Sequence, residues 1–387
     1  MIDYALIIVL LLVLFPFVFY PFLLFILWCF YKAMPSKVGR HKDLLRPQAE
    51  VQKDFCLVIT CYNEERTIGN KIENIISVWN NDSELKLIIL DDGSTDKTAE
   101  IANSFNYPHN IHLSVFKLER LGKTASQNWF FQESNFEIYL FTDANAEFDE
   151  NTLNLLLAQF DDKSVGYCSA NLVLKSTNMF GQIENIYWEY DKWLRKLESD
   201  IASCVGGNGA LYGIRRTAYS MLPPLLSHDG FMPAEVVTKG FKATFCENSR
   251  CFEKAAKQPR LEFMRRVRMN RGLPLKYFYN FQKFNFFRVG WFAFFYFGHK
   301  FTKVTLFLTH TIFVMLSILA FSENQIADLV VLSHLGLLFL LFTGMIVRNK
   351  MSGLIRSYFI AFAAQWVATF KTFFGRTNAI WDRTSER

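Results

Sequence analysis

The sequence predicts an α/β domain with a mostly parallel sheet, flanked by α-helical transmembrane segments. Two observations lead there. Between Phe55 and Phe245, short apolar runs alternate with stretches of helical character, the pattern of a doubly wound sheet. Outside that region apolar residues are concentrated. Of 41 Phe in 387 residues, six fall between Phe15 and Phe30 and 20 between Leu273 and Arg387, against 15 in the long stretch between. With only 20% of residues charged, this distribution excludes a simple soluble globule.

The first element is a membrane helix over residues 1–32. Asp3 and Lys32 bracket 28 uncharged residues, about 42 Å as a helix against about 30 Å of hydrocarbon. Pro16 and Pro21 predict a kink or a tilt, and Asp3 in place of basic residues argues against a cleaved signal peptide. Lys32, Lys37, Arg40, Lys42 and Arg46 follow. Positive residues stay cytoplasmic, so the domain over 33–272 is expected in the cytosol, carried by an integral protein of the plasma (inner) membrane.

Within that domain, FCLVIT (55–60), LKLIIL (85–90), IHLSVF (111–116) and EIYLFT (137–142) read as strands. ERTIGNKIENIISVW, STDKTAEIANSF and GKTASQNWFFQES between them read as helices. Leu273 to Gly298 holds 13 aromatic residues with Lys276, Asn280, Lys283 and Arg288 interspersed, which predicts interface helices over 273–303. Spans over 304–321 and 329–347 follow, joined by SENQIAD, a loop without Lys or Arg. A short apolar segment over 357–374 is re-entrant, interfacial or a short span, and a basic tail over 375–387 ends the chain. His310 and His334 inside spans mark either a polar path or helix-to-helix hydrogen bonding.

Net charge is a formal +6, from 42 Lys plus Arg against 36 Asp plus Glu. That balance, without an aromatic-and-basic recognition motif, gives no reason to expect nucleic acid. Seven cysteines form no CxxC pair and no zinc set, so they read as reduced thiols facing a reducing compartment.

Ligands of doubly wound sheets bind at the carboxyl ends of strands, and three polar clusters fall there. After the first strand comes Tyr62-Asn63-Glu64-Glu65, after the second Asp91-Asp92-Gly93-Ser94-Thr95-Asp96, and after the fourth Asp143-Ala144-Asn145. Any one could be an ordinary surface turn; three at one sheet edge point to a site. A P-loop is excluded at Gly122-Lys123-Thr124, because the upstream glycine it needs falls at Lys117.

The order YNEE, DDGSTD, GK and TDAN continues through GGNGALYGIRR (206–216), HDGFMP (228–233) and RRVRMNRG (265–272). This series resembles membrane-bound family 2 glycosyltransferases of the poly-N-acetylglucosamine, hyaluronan and cellulose synthase type. The resemblance implies an A-type, Rossmann-like nucleotide-sugar-binding fold. It implies that Tyr62 and Glu64 line a nucleobase pocket, and that Asp91 and Asp92 contact base and ribose as hydrogen-bond acceptors. By the same resemblance Lys123 approaches the diphosphate as a point charge. Asp143 is the first acid of a DxD motif holding divalent Mg²⁺ or Mn²⁺, with Asn145 in the second position and Glu147 nearby. Asp229 matches the catalytic base, which takes the proton of the attacking hydroxyl, and His228 replaces the acid before it.

On the acceptor side the resemblance places Asn208 and Gly209 of the glycine-rich loop, His228, Arg265 and Met269. Arg268 keeps the guanidinium of a QRxRW-like motif that contacts the diphosphate, whereas Arg265 replaces Gln and Met269 replaces Trp. The competing reading of this basic run is a collar facing anionic lipid. The implied activity is inverting transfer of a hexosyl or N-acetylhexosaminyl group from a nucleotide diphosphate sugar, with a UDP-sugar expected, to a lipid-linked or exported glycan. The alternatives are a processive polysaccharide synthase and a non-catalytic membrane scaffold that kept the fold.

Overall fold

The computed structural model describes residues 2–34, 53–79, 83–175, 179–254, 259–272, 284–346 and 350–380. Eight strands form one sheet: β1 (Phe55–Cys61), β2 (Leu85–Asp91), β3 (Ile111–Lys117), β4 (Ile138–Thr142), β5 (Glu147–Phe148), β6 (Val165–Lys175), β7 (Leu211–Arg215) and β8 (Lys242–Lys254). Their order is β3-β2-β1-β4-β7-β6-β8-β5. Strands β1 to β4 are parallel, whereas β7 pairs antiparallel with both β4 and β6. The sheet is therefore mixed, with its parallel half where the sequence placed it.

Helices α2 (Ile68–Val78), α3 (Thr98–Ser104) and α4 (Lys123–Glu133) join the parallel strands. Alternation along each strand assigns the two faces. Leu57, Ile59, Leu87, Ile89, Ile138 and Leu140 enter one core with Ile68, Ile72 and Ile75 of α2. Cys56, Val58, Ile88, Leu90, Tyr139 and Phe141 enter the other. Burial on both faces explains why these strands read as unbroken apolar runs. The remaining helices of the domain are α5 (Thr152–Ala158), α6 (Met179–Ile201), α7 (His228–Thr238) and α8 (Pro259–Met269).

Among the described residues three helices are long and apolar enough to cross a membrane: α1 (Ile2–Ala33), α10 (Trp291–Leu319) and the Gln325–Thr343 part of α11 (Gln325–Ile346). Their faces expose Ile8, Phe22, Leu329, Leu335, Phe339 and Phe342, a surface that water would not tolerate. Pro16 lies in a π-helical stretch, Phe15–Phe19, within α1, the local rearrangement that a missing N–H imposes.

The aromatic belt differs from the expectation. Residues 273–283 lie outside the described residues, so Lys276, Asn280 and Lys283 are not placed. After the short helix α9 (Phe286–Val289), α10 runs without a break across the expected boundary at 303. Phe292, Phe295 and Tyr296 are buried with Tyr20 and Leu24 of α1, Leu194 and Leu197 of α6, and Ala234 of α7. These aromatics dock the candidate membrane-spanning helices onto the α/β domain. Gly298 allows a close crossing, because any Cβ there would run into the ring of Tyr20.

Beneath this contact a buried polar cluster links the two parts. Tyr20 donates to Glu198 at 2.6 Å, His299 bonds Glu198 at 2.7 Å and Asp191 at 3.1 Å, and Lys303 reaches Asp191 at 2.8 Å. Lys32 pairs with Asp200 of α6 at 3.3 Å, while Lys37, Arg40, Lys42 and Arg46 fall outside the described residues. The segment expected over 357–374 belongs to a 24-residue helix, α12 (Lys350–Phe373). His310 and His334 hydrogen-bond each other at 3.1 Å, and Tyr358 of α12 reaches His310 at 2.9 Å, so both histidines serve helix-to-helix bonding. All seven cysteines are free thiols and six are buried.

Candidate active site

The site forms where the loops after β1, β2 and β4 meet the starts of α4 and α7. Many of the polar residues in the first two loops serve to lace those loops together. Asn63, at φ +52°, takes the left-handed conformation that Asn tolerates. Its N–H donates to Ser94 Oγ at 2.9 Å and its Oδ1 accepts from Thr95 N at 2.8 Å. Glu64 N donates to Thr98 Oγ1 at 2.8 Å, and the Glu64 carboxylate accepts from Thr67 at the start of α2. Tyr62 is half-buried beneath Arg120, whose guanidinium stacks 3.0 Å from the ring centroid, a planar cation over an aromatic face. Arg120 had no signal in the strand-end motifs.

Asp91 and Asp92 are both buried. Asp91 accepts from Ser94 N at 2.9 Å. Asp92 accepts from Leu121 N, Gly122 N and Ser126 Oγ at 2.9, 3.0 and 2.7 Å. Its carboxylate thus fastens the start of α4, where Gly122 adopts φ +90°. That bond set positions Lys123, the first residue of α4.

Lys123 pairs with Asp143 Oδ1 at the end of β4. Burial works against the ammonium, but the charges of Asp143 and Asp229 and the bond to Asp143 outweigh it and hold its pKa above the ordinary value. Asp143 is set by strand register: Thr142 pairs with Leu211 across β4 and β7, which brings the glycine-rich loop opposite Asp143. A Cβ built on Gly209 would lie 3.1 Å from Asp143 Oδ2, 3.2 Å from Lys123 Nζ and 3.8 Å from Asp229 Oδ2. Three charged groups therefore converge on one spot that only glycine leaves open.

Asp229 reaches that spot from the first turn of α7. Pro233 explains how the turn is tied down. Lacking an N–H, it cannot bond the Asp229 carbonyl four residues back, and that carbonyl accepts instead from Gly207 N at 2.8 Å. The glycine-rich loop and the start of α7 are joined at the candidate base. Lys300 of α10 adds a second tie, donating to the carbonyl of Gly230 and, at 3.5 Å, to that of Val205.

Two residues expected on the acceptor side face the core. His228 is 1% exposed, with Nδ1 on Gln127 at 2.6 Å and Nε2 on Tyr219 at 2.9 Å. Burial, aided by Lys123, lowers its pKa to about 3, so it is a neutral packing residue at working pH. Asn208 is also buried, donating to Ala170 O at 2.6 Å and accepting from Ala210 N at 3.1 Å; it shapes the loop. Arg265 is engaged by Glu262 at 2.7 and 3.0 Å, and Met269, at the end of α8, is exposed. Arg268 lines a cavity between α8 and α12. Glu147 pairs with Lys175 at 2.7 Å on strand β5.

A buried cation missed in the sequence supports the loop after β4. Lys71, in the apolar stripe of α2, donates to Thr142 Oγ1 at 3.1 Å and to the Ala146 carbonyl. Thr142 in turn donates to Ala210 O at 2.6 Å, linking the Asp143 turn to the glycine-rich loop. Burial lowers the Lys71 pKa from 10.5 to about 7. Between those values the unfolded chain holds a proton that the folded chain has released, so stability rises with pH across this window. The melting temperature of the native protein relative to Lys71→Met is expected to climb from pH 7 to pH 10. A difference that stays flat would refute the burial account.

Comparison with known proteins bears on this geometry. Residues 56–219 match the family described as Glycosyl transferase family 2. The chain is 23% identical over 205 residues to the poly-beta-1,6-N-acetyl-D-glucosamine synthase of Staphylococcus epidermidis, an overlap of 51% of this chain and 47% of that protein. It thus spans about half the length of that relative. It is 27% identical over 222 residues to the O-antigen chain rhamnosyltransferase WbaN of Salmonella anatum, covering 54% of this chain and 69% of that one. The mannosyltransferase PcManGT from Pyrobaculum calidifontis, solved with GDP-Man and Mn²⁺, superposes with a TM-score of 0.63 at 18% identity, covering 97% of this chain and 100% of that chain. The shared architecture is the A-type glycosyltransferase fold, and residues 56–219 are similar to family 2 glycosyltransferases.

Proposed function

We propose that the protein moves a glycosyl group from a nucleotide diphosphate sugar, expected to be a UDP-sugar, to a lipid-linked or exported glycan at the cytosolic face of a membrane, with inversion. The observation that carries this reading is the convergence of Lys123, Asp143 and Asp229 around Gly209. A carboxylate beside the acceptor hydroxyl accepts its proton as the new bond forms. An ammonium beside the departing diphosphate offsets its charge. A single displacement uses both at once, with Asp229 as base and Lys123, aided by Arg268, on the leaving group. Tyr62 under Arg120 offers a stacking face for a nucleobase, with Glu64 close by in the same loop.

The donor set suits a divalent ion of the Mg²⁺ or Mn²⁺ kind. Asp143 turns Oδ2 toward the space above Gly209, and Asn145 lies two residues on in the same turn. Among the described residues no three His, Cys, Asp or Glu side chains are grouped to hold a metal. One carboxylate and one amide completed by donor phosphate oxygens is the arrangement such ions accept. Once bound, the ion would supply positive charge against the diphosphate.

Incubation of the purified chain with UDP- and GDP-sugars and Mn²⁺ or Mg²⁺ tests the reading. Turnover or saturable binding of one donor is expected; failure of all would overturn it. Departures at Arg265 and Met269 from the processive pattern favour a single transfer or short products, and product length separates these from a polymer.

A further inference from the structure

Three successive residues of α10 reach three different parts of the protein. They lie in a π-helical stretch, Tyr296–Phe301, a wider turn that recurs at functional sites. Gly298 packs on Tyr20 of α1. His299 bonds Glu198 and Asp191 of α6 at 2.7 and 3.1 Å, and Arg195 and Lys303 also engage Asp191, at 2.7 and 2.8 Å. The Lys300 ammonium turns instead to the loops of the α/β domain. It donates to the Gly230 carbonyl and, at 3.5 Å, to that of Val205, with the centre of the Phe231 ring 4.5 Å away.

These two carbonyls bracket Asp229. Gly230 follows it directly, and Val205 opens the loop whose Gly207 N–H holds the Asp229 carbonyl at 2.8 Å. Val205 is also held through its N–H, which donates to Glu198 Oε2 at 3.3 Å. The other oxygen of that carboxylate takes Tyr20 and His299. One turn of α10 therefore reaches the glycine-rich loop twice, directly through Lys300 and indirectly through His299 and Glu198. An ammonium suits the direct contact, because its several donors serve two carbonyls from one atom.

We propose that Lys300 is a positioning residue for Asp229, so that a candidate membrane-spanning helix sets where the base stands. The inference rests on the proposed role of Asp229 as base. Lys300 bonds backbone, so its effect passes through the placement of the Asp229 carboxylate against the acceptor hydroxyl. Displacement of about 1 Å at such a site costs on the order of a hundredfold in rate.

The test uses the full chain in neutral detergent. Turnover is measured with the UDP- and GDP-sugars and Mn²⁺, and nucleotide affinity separately by calorimetry with UDP and GDP. Lys300→Met is expected to lower the turnover number about tenfold to a hundredfold, with nucleotide affinity within about twofold, which also shows that the variant folds. Lys300→Arg keeps the cation and should turn over faster than Lys300→Met; equal rates would overturn the tie. In an Asp229→Asn background, Lys300→Met should cost nothing further, whereas an equal loss in both backgrounds would overturn action through Asp229. Amide hydrogen exchange adds a readout free of the chemistry. Lys300→Met should speed exchange in peptides over 204–209 and 228–232 and leave those over β1 to β3 unchanged; no change at the two loops would overturn the clamp. Native turnover in Asp229→Asn would overturn the base reading, whereas native turnover in Lys300→Met with Asp229→Asn impaired would overturn the positioning role alone.

Discussion

Asp229→Asn is expected to lower the turnover number by about 10²- to 10⁴-fold, the range supplied by a positioned general base, while donor binding changes little. The substitution keeps side-chain shape and leaves the tie between the Asp229 carbonyl and Gly207 N intact, because that bond uses backbone alone. It removes the proton acceptor. The amide also lacks the negative charge that helps hold the Lys123 ammonium, so a small rise in the donor constant should accompany the loss. Measurement of initial rates over a donor range, with donor affinity determined separately, distinguishes the two. Full activity in Asp229→Asn would remove the residue from the chemistry while leaving the fold and the metal residues untouched. A parallel loss in donor binding would instead move Asp229 to the ground-state site.

That experiment turns on a residue whose position was only half legible in the sequence. Strands β1 to β4 could be read because each is a short apolar run closed by a polar turn, and both faces of the parallel sheet are buried. The antiparallel β7 was hidden: LYGIR carries no alternation that separates it from a loop. Its pairing with β4 nevertheless carries Gly209 to Asp143. The helix at His228–Thr238 was hidden by Pro233, which reads locally as a breaker. Four residues after Asp229, that proline is also the signal that the Asp229 carbonyl needs another donor.

The same limit explains His228, Asn208 and Asp92. Their residue types suit ligand contact, and whether a side chain turns to the cleft or the core depends on what packs behind it. Tyr219 and Gln127 claim His228, the β6 backbone claims Asn208, and the start of α4 claims Asp92. Lys71 was legible in principle, as a lone cation within the stripe Ile68, Ile72 and Ile75. Lys300 and Arg120 were not, because each acts on a segment distant in sequence.

Asp143→Asn is expected to give the other large loss. Its carboxylate is the one acidic group in the turn after β4 that faces both Lys123 and the opening at Gly209. With Asn at 143 as well as at 145, that turn would present two neutral amides to a divalent ion, and the hard cations that suit diphosphate favour charged oxygen ligands. Metal charge stabilisation is worth several kcal/mol in such reactions, so transfer should fall on the order of a hundredfold or more at fixed metal. Excess Mn²⁺ should restore part of it. The reverse change sharpens the argument. Asn145→Asp adds a second carboxylate and should lower the half-saturating metal concentration roughly tenfold without a matching gain in turnover. Chelation should abolish transfer in the native protein and in Asn145→Asp alike. Unaltered metal dependence in both variants would place the ion elsewhere. Chelator-resistant transfer would leave Lys123 and Arg268 as the only groups proposed to meet the diphosphate charge.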